Sequence, residues 1–208
     1  APLTSSDVAD GIISNAKLAQ DIISGDTALG AEPADTDEFL VSDAGTLKRM
    51  DYSHIKASGG LAVADQWRLT ANTGNGDITS NVEQSDRTAG GQASLGSAMT
   101  QSSGIFTFPS TGFYLVRVDA AGVTDGSDNM AMTIKATVNN STYVNVAHVS
   151  QGDYRTYTQA VGTQSIIDVT DTANVKVKFT AGVAGSSVWY GDTDQNNTVF
   201  TFLKLGDT

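Results

Sequence analysis

The 208-residue chain has no cysteine, two histidines and three prolines. Without thiols it has neither a disulfide framework nor a thiolate nucleophile, and a chain of this kind that must persist outside a cell gains stability by burying surface between copies. Basic residues are scarce as well: 12 Lys and Arg face 23 Asp and Glu, a net charge of −11. They form no cluster, so the cationic track that counterion release on nucleic acid requires is missing. No apolar run approaches the ~18 residues needed to span a bilayer. The opening APLTSSDVADG has neither a basic nor an apolar signal region, so no secretory leader is expected there. Neither nucleic acid nor membrane is an expected partner.

What is present suits a sheet protein. Charged residues make up 17% and apolar residues 39% of the chain, with abundant Gly, Thr, Ser, Asn and Asp, a balance that favours many short strands joined by polar turns. The spacing predicts strands over 66–71, 104–108, 112–122, 129–139, 142–149, 156–169, 174–181 and 198–205. Val175, Val177 and Phe179 alternate with Lys176, Lys178 and Thr180, which puts one face in a core and the other in solvent. Tyr114, Val116 and Val118 likewise oppose Phe113, Leu115 and Arg117. That strand is apolar on part of its second face too, and so calls for a second covering partner.

Four segments are expected. Residues 1–30 form an extended N-terminal anchor, in which Ile12, Ile13, Leu18, Ile22 and Ile23 are too sparse to make a core within one chain and invite burial between chains. Residues 31–58 form a small hairpin module: Glu38 to Val41 as one strand, Ser42 to Gly45 as turn, Thr46 to Met50 as return strand, and Asp51 as N-cap of a short helix. An isolated hairpin is marginal in water, so this one should dock on copies of itself or on a partner. Residues 59–64 are a linker, and 65–208 form one domain.

Chemistry-bearing motifs are few. His54 and His148 have no metal-ligand spacing around them, and no G-x-S-x-G elbow exposes a serine, so no catalytic residue is assigned. The loops at 124–129 and 191–197 are acidic. Asp125 and Asp128 would be the ligands if Ca²⁺ bound, although neither loop follows the D-x-D-x-D-G register, and solvated turns are the expected form. No cofactor is expected beyond that possibility. Asp192, Asp194, Asn196 and Asn197 are the residues assigned to receptor contact, while the neighbouring Trp189 is expected in the core or a subunit seam rather than stacked on a sugar. Gly74 to Asp77 is expected to be a loop.

Gly104, Phe106, Phe108, Pro109, Gly112 and Tyr114, with Phe200, Phe202 and Leu203 at the end, resemble the C1q/TNF-like jelly-roll family. There an F-T-F-P-x-x-G-x-Y-like corner lies mid-domain and an aromatic-aliphatic strand closes the fold. The resemblance covers residues 65–208. It implies an all-β jelly-roll sandwich that assembles as a homotrimer, with Phe113, Leu115, Tyr114, Phe200 and Phe202 as interface residues. Ile13 to Leu18 and Asp37 to Arg49 resemble segments of phage virion proteins, particularly tail-fibre and appendage proteins of marine phages. That implies a non-enzymatic structural protein on the particle surface, bound through its N-terminus to other virion proteins. Its head would serve host-surface adhesion, on a glycan or protein, or decoration of capsid or tail. The alternatives are a phage-borne glycan-processing enzyme and a cellular secreted C1q-like adhesion protein.

Overall fold

The structure is a computed structural model that describes residues 27–56, 60–86, 88–126, 129–152 and 156–208. The chain divides after Gly59 into two units.

In the first unit, β1 (Glu38–Asp43) and β2 (Thr46–Asp51) pair antiparallel in strict register. Ala44 and Gly45 join them with φ of 49° and 85°, the left-handed pair of a two-residue turn whose twist matches that of the strands. A 3₁₀ turn follows over Tyr52–His54, with Asp51 at the N-cap position but making no side-chain capping bond. The Tyr52 amide instead donates to the Asp37 carbonyl at 2.7 Å, which ties the turn back to the start of β1.

The second unit is an antiparallel sandwich. Its strands are β3 (Ala64–Leu69), β4 (Gly76–Asp77), β5 (Val82–Gln84), β6 (Thr100–Ser102), β7 (Ile105–Thr107), β8 (Gly112–Val123) and β9 (Met130–Thr137). They continue with β10 (Val144–Gln151), β11 (Thr158–Val169), β12 (Lys176–Gly182), β13 (Val188–Trp189) and β14 (Thr198–Gly206). One six-stranded sheet runs β10-β9-β12-β7-β6 with β4 added on β12; the other runs β11-β8-β14-β3-β5 with β13 added on β8. Every strand expected from the spacing is present. The unforeseen β4, β5, β6 and β13 have only two or three residues each, too short to show alternation. Gly76 and Asp77, expected in a loop, are β4: they pair with Ala181 and Thr180 of β12.

The core lies between the sheets and is built by the alternation. From β8 it takes Tyr114, Val116 and Val118, from β12 Val177 and Phe179, and from β14 Phe200 and Phe202, all at most 1% exposed. Phe106 contacts Phe179, Phe200 and Phe202 at centroid separations of 5.6, 5.9 and 5.0 Å. Burying each such ring stabilises the fold by about 1.5–3 kcal/mol. The corner that delivers Phe106 turns through Ser103 and Gly104, with φ of 50° and 75°. A Cβ on Gly104 would collide with the Ile78 carbonyl, so glycine is required there for space as well as for backbone conformation.

Candidate interaction surface

The outer face of the β11-β8-β14-β3 sheet carries a row of apolar side chains. Ala64 lies opposite Leu203, Leu203 opposite Leu115, and Leu115 opposite Ile166. Ala64 also bridges to Leu95 in the loop between β5 and β6, which lengthens the row by one residue. Ile166 is 61% and Leu95 51% exposed, and Phe113, beside the row on β8, is 38% exposed. The next row is polar: Gln66, Thr201, Arg117 and Gln164 stand side by side. Gln66 donates to the Thr201 hydroxyl at 3.1 Å, and Arg117 makes two bonds of 2.6 Å to Asp119. The apolar stripe is thus bounded by polar groups that already satisfy one another, the pattern of a face that another surface covers in part.

Around the edge of β11 the stripe continues into a groove of about 440 Å³ lined mainly by Val138, Val144, Val146, Ile166, Ile167 and Val175. Ile166 belongs to both features. The Val138 wall is held by Asn139, whose Oδ1 accepts from the Thr137 hydroxyl (2.9 Å), the Ser141 amide (3.1 Å) and hydroxyl (3.0 Å), and the Thr142 amide (2.9 Å). Val138 itself is 78% exposed. This apolar edge is a built feature rather than a loose loop.

Of the residues expected at an interface, Phe113 and Leu115 lie on the outer face. Tyr114, Phe200 and Phe202 do not: each is 0% exposed inside one protomer, where the opposite sheet already covers it. The Tyr114 hydroxyl is partnered by Ser110 at 3.0 Å. The period of two decides this, because an in-facing neighbour of an out-facing residue cannot serve the same surface. Missed in the sequence were Leu95, Leu203, Val138, Val144, Val146 and Ile166. Of these, Leu203 was read only as part of the closing strand, and Ile166, adjacent to Ile167 in one strand, marks a position apolar on both faces.

The acidic loops are occupied by their own hydrogen bonds. Asp125 accepts from the Ser186 amide at 2.6 Å and hydroxyl at 3.0 Å, and from the Ser187 hydroxyl at 3.2 Å, so it joins two loops. Asp128 lies outside the described residues, as do Ile12, Ile13, Leu18, Ile22 and Ile23 of the expected anchor. Among the described residues no group of three or more His, Asp or Glu is placed to hold a metal ion. Asp192 accepts from the amides of Asp194 (2.7 Å) and Gln195 (3.1 Å), and Asn196 accepts from the Ser85 hydroxyl at 3.0 Å, while the Asn197 carbonyl accepts from the Ala121 amide at 2.9 Å. Trp189 is fully buried and donates to the Ala131 carbonyl at 3.2 Å. His148 pairs with the Thr133 hydroxyl at 2.9 Å on the outer face of the other sheet.

Among the described residues, the carboxylate that departs furthest from its ordinary value was not foreseen. Asp77 takes hydrogen bonds from Lys178 (2.7 Å), Thr180 (2.5 Å) and Lys135 (3.1 Å). Those bonds, Lys178 first, hold it well below the usual carboxylate range. It staples β4 to β9 and β12.

No protein-family model and no curated protein matches the chain. Solved structures do. The structure of Eiger TNF from S. frugiperda is similar with a TM-score of 0.56 and 14% identity, over 72% of this chain and 96% of that one. The crystal structure of murine APRIL at pH 8.5 is similar with a TM-score of 0.52 and 10% identity, over 69% of this chain and 98% of that one. At these identities the likeness is one of fold: the second unit is a TNF-like jelly roll.

Proposed function

We propose that this jelly roll is a binding module without catalytic chemistry, displayed as a homotrimer on a phage particle and carried there by the N-terminal part of the chain. The observation that carries the reading is the stripe Leu95, Ala64, Leu203, Leu115 and Ile166 on the outer face of a sheet whose inner face already has a complete core, its two ends exposed and its three middle residues half-buried. The groove extends from the β11 end of the stripe and shares Ile166 with it; a contact in which the groove edge of one copy faces the stripe of the next is heterologous, and its closure makes a ring. The resemblance to C1q/TNF-like domains implies three copies.

The virion context rests on Ile13 to Leu18 and Asp37 to Arg49, the runs that resemble phage appendage proteins. Adhesion or decoration would then use the loops around Asp192 and Asn196, whose turns are held rigid by internal hydrogen bonds and so present a preorganised, amide-rich surface. Two measurements test the reading. Native mass spectrometry of the full chain at micromolar concentration is expected to give three chains per particle, and a monomer would overturn the assembly. Immunogold labelling of purified phage is expected to mark an external structure, and an unlabelled particle would remove the display role.

A further inference from the structure

A strand at the edge of a sheet turns half of its main-chain N–H and C=O groups away from its neighbour, where another strand can pair with them. In the second unit the edge strands are β10 and β6 of one sheet and β11 and β5 of the other. β5 and β6 are three residues long, and β10 carries a bulge between Asn145 and Ala147. Short length and bulges both keep an edge from pairing. β11 has neither. It runs over 12 residues, Thr158–Val169, in unbroken register with β8, and its sequence TQAVGTQSIIDV contains no Lys, Arg or Pro to guard it.

The phase of the ladder identifies the open groups. The Thr124 amide donates to the Tyr157 carbonyl at 3.1 Å, and on the other side of β8 the Ala121 amide donates to the Asn197 carbonyl at 2.9 Å. Odd residues of β11 therefore exchange hydrogen bonds with β8, and even residues point their N–H and C=O out of the sheet. Among the described residues, the main-chain groups of Ala160, Gly162, Gln164, Ile166 and Asp168 have no partner. A dry apolar surface laid against this edge would strand them at about 1–3 kcal/mol each. An extended strand answers them all.

The groove supplies the side-chain half of the site. It holds about 440 Å³ along the same rim and is lined by Ile166, Ile167 and Asp168 of β11 with Val144, Val146 and Val175. Ile167 belongs to the inner face of β11 and Asp168 to the outer. A strand added to β11 thus sends the residue beside Ile167 toward the groove and the residue beside Asp168 outward. Asp168 is exposed and makes no hydrogen bond or ion pair among the described residues. Since β11 contains no cation, a second copy of this strand brings nothing to pair with that carboxylate, and each copy carries a net charge of −11. Charge favours a foreign, basic strand over a copy of its own.

We infer that β11 is a strand-accepting edge. Its occupant is an extended segment of a partner protein, aliphatic at the alternate residues that meet the groove and bearing Lys or Arg beside Asp168. Main-chain pairing supplies the affinity, while groove and carboxylate choose the register. This goes beyond the ring reading. That reading places the next copy's stripe against the same rim, so the added strand and the ring compete for it.

The test uses the full chain and a synthetic peptide of about ten residues that alternates Val with Thr and carries one Lys. Amide hydrogen exchange is expected to be fast at Gly162, Gln164, Ile166 and Asp168 in the chain alone and slow with peptide. Amides already protected in the free chain, or still fast at millimolar peptide, overturn the inference. Two further peptides are N-methylated on alternate sets of amides. The set that faces β11 is expected to bind about tenfold weaker or worse, as unanswered main-chain groups require, and the other set like the parent; equal binding of the two overturns strand pairing. Asp168→Lys is expected to reverse the preference from the Lys peptide to its Glu counterpart, and an unchanged preference overturns the basic partner. Native mass spectrometry of the same samples separates the two readings. Three chains with no peptide bound overturn the strand site and leave the ring, whereas a single chain that binds the peptide overturns the ring and leaves the strand site.

Discussion

Phe179 of β12 and Phe200 of β14 stack across the sandwich with ring centroids 4.2 Å apart and planes 28° from parallel. They come from opposite sheets, and the closing strand of the chain therefore locks the fold rather than offering its rings to a neighbour. The core and the proposed assembly surface use different sets of side chains on the same strands.

That separation is open to mutation. Phe200→Ala is expected to lower unfolding stability by about 3–5 kcal/mol, the range for removing a buried aromatic, read as a shift in the denaturant midpoint. Phe113→Ala is expected to leave that midpoint nearly unchanged and to weaken association on dilution. Equal losses from both would show that the two sets are not distinct.

Gly104→Ala is expected to be among the most damaging single-methyl additions. A left-handed backbone disfavours any Cβ, and here the Ile78 carbonyl occupies the site. A soluble variant with wild-type melting temperature would contradict the turn geometry.

The Asp77 carboxyl titrates lower in the folded chain than in the unfolded one, chiefly through its bond from Lys178. Its contribution is therefore complete above the unfolded carboxylate range, near pH 4, and is lost as pH falls below that toward the folded value. Asp77→Asn is expected to reduce stability at neutral pH and to flatten the acid limb of the melting temperature against pH. A parallel acid limb in wild type and variant would remove Asp77 from that role.

Asp125 spends its oxygens on Ser186 and Ser187. Melting curves in chelator and in millimolar Ca²⁺ are expected to coincide, whereas Asp125→Ala is expected to lower the transition by releasing the two loops from each other. A chelator-dependent fall would restore the calcium reading of this loop.

Strand positions were legible because side chains alternate with a period of two wherever one face is buried: Val175 to Thr180 and Phe113 to Val118 needed no more than that. The Ala44–Gly45 turn was legible for a similarly local reason, since a two-residue hairpin restricts backbone torsions. Asp77 was not. Its partners Lys135 and Lys178 are 58 and 101 residues away in sequence, and nothing in Gly-Asn-Gly-Asp marks it as a strand.

The sequence by itself determined the class of fold, the all-β pattern and the alternation that divides each strand into an inner and an outer face. Which neighbours complete each face was decided only by the tertiary structure. Tyr114, Phe200 and Phe202 vanish into one protomer, and Leu95, Leu203 and Ile166 join Leu115 from distant segments, because register across a sheet is set by which strands pair, and pairing is a property of the whole chain.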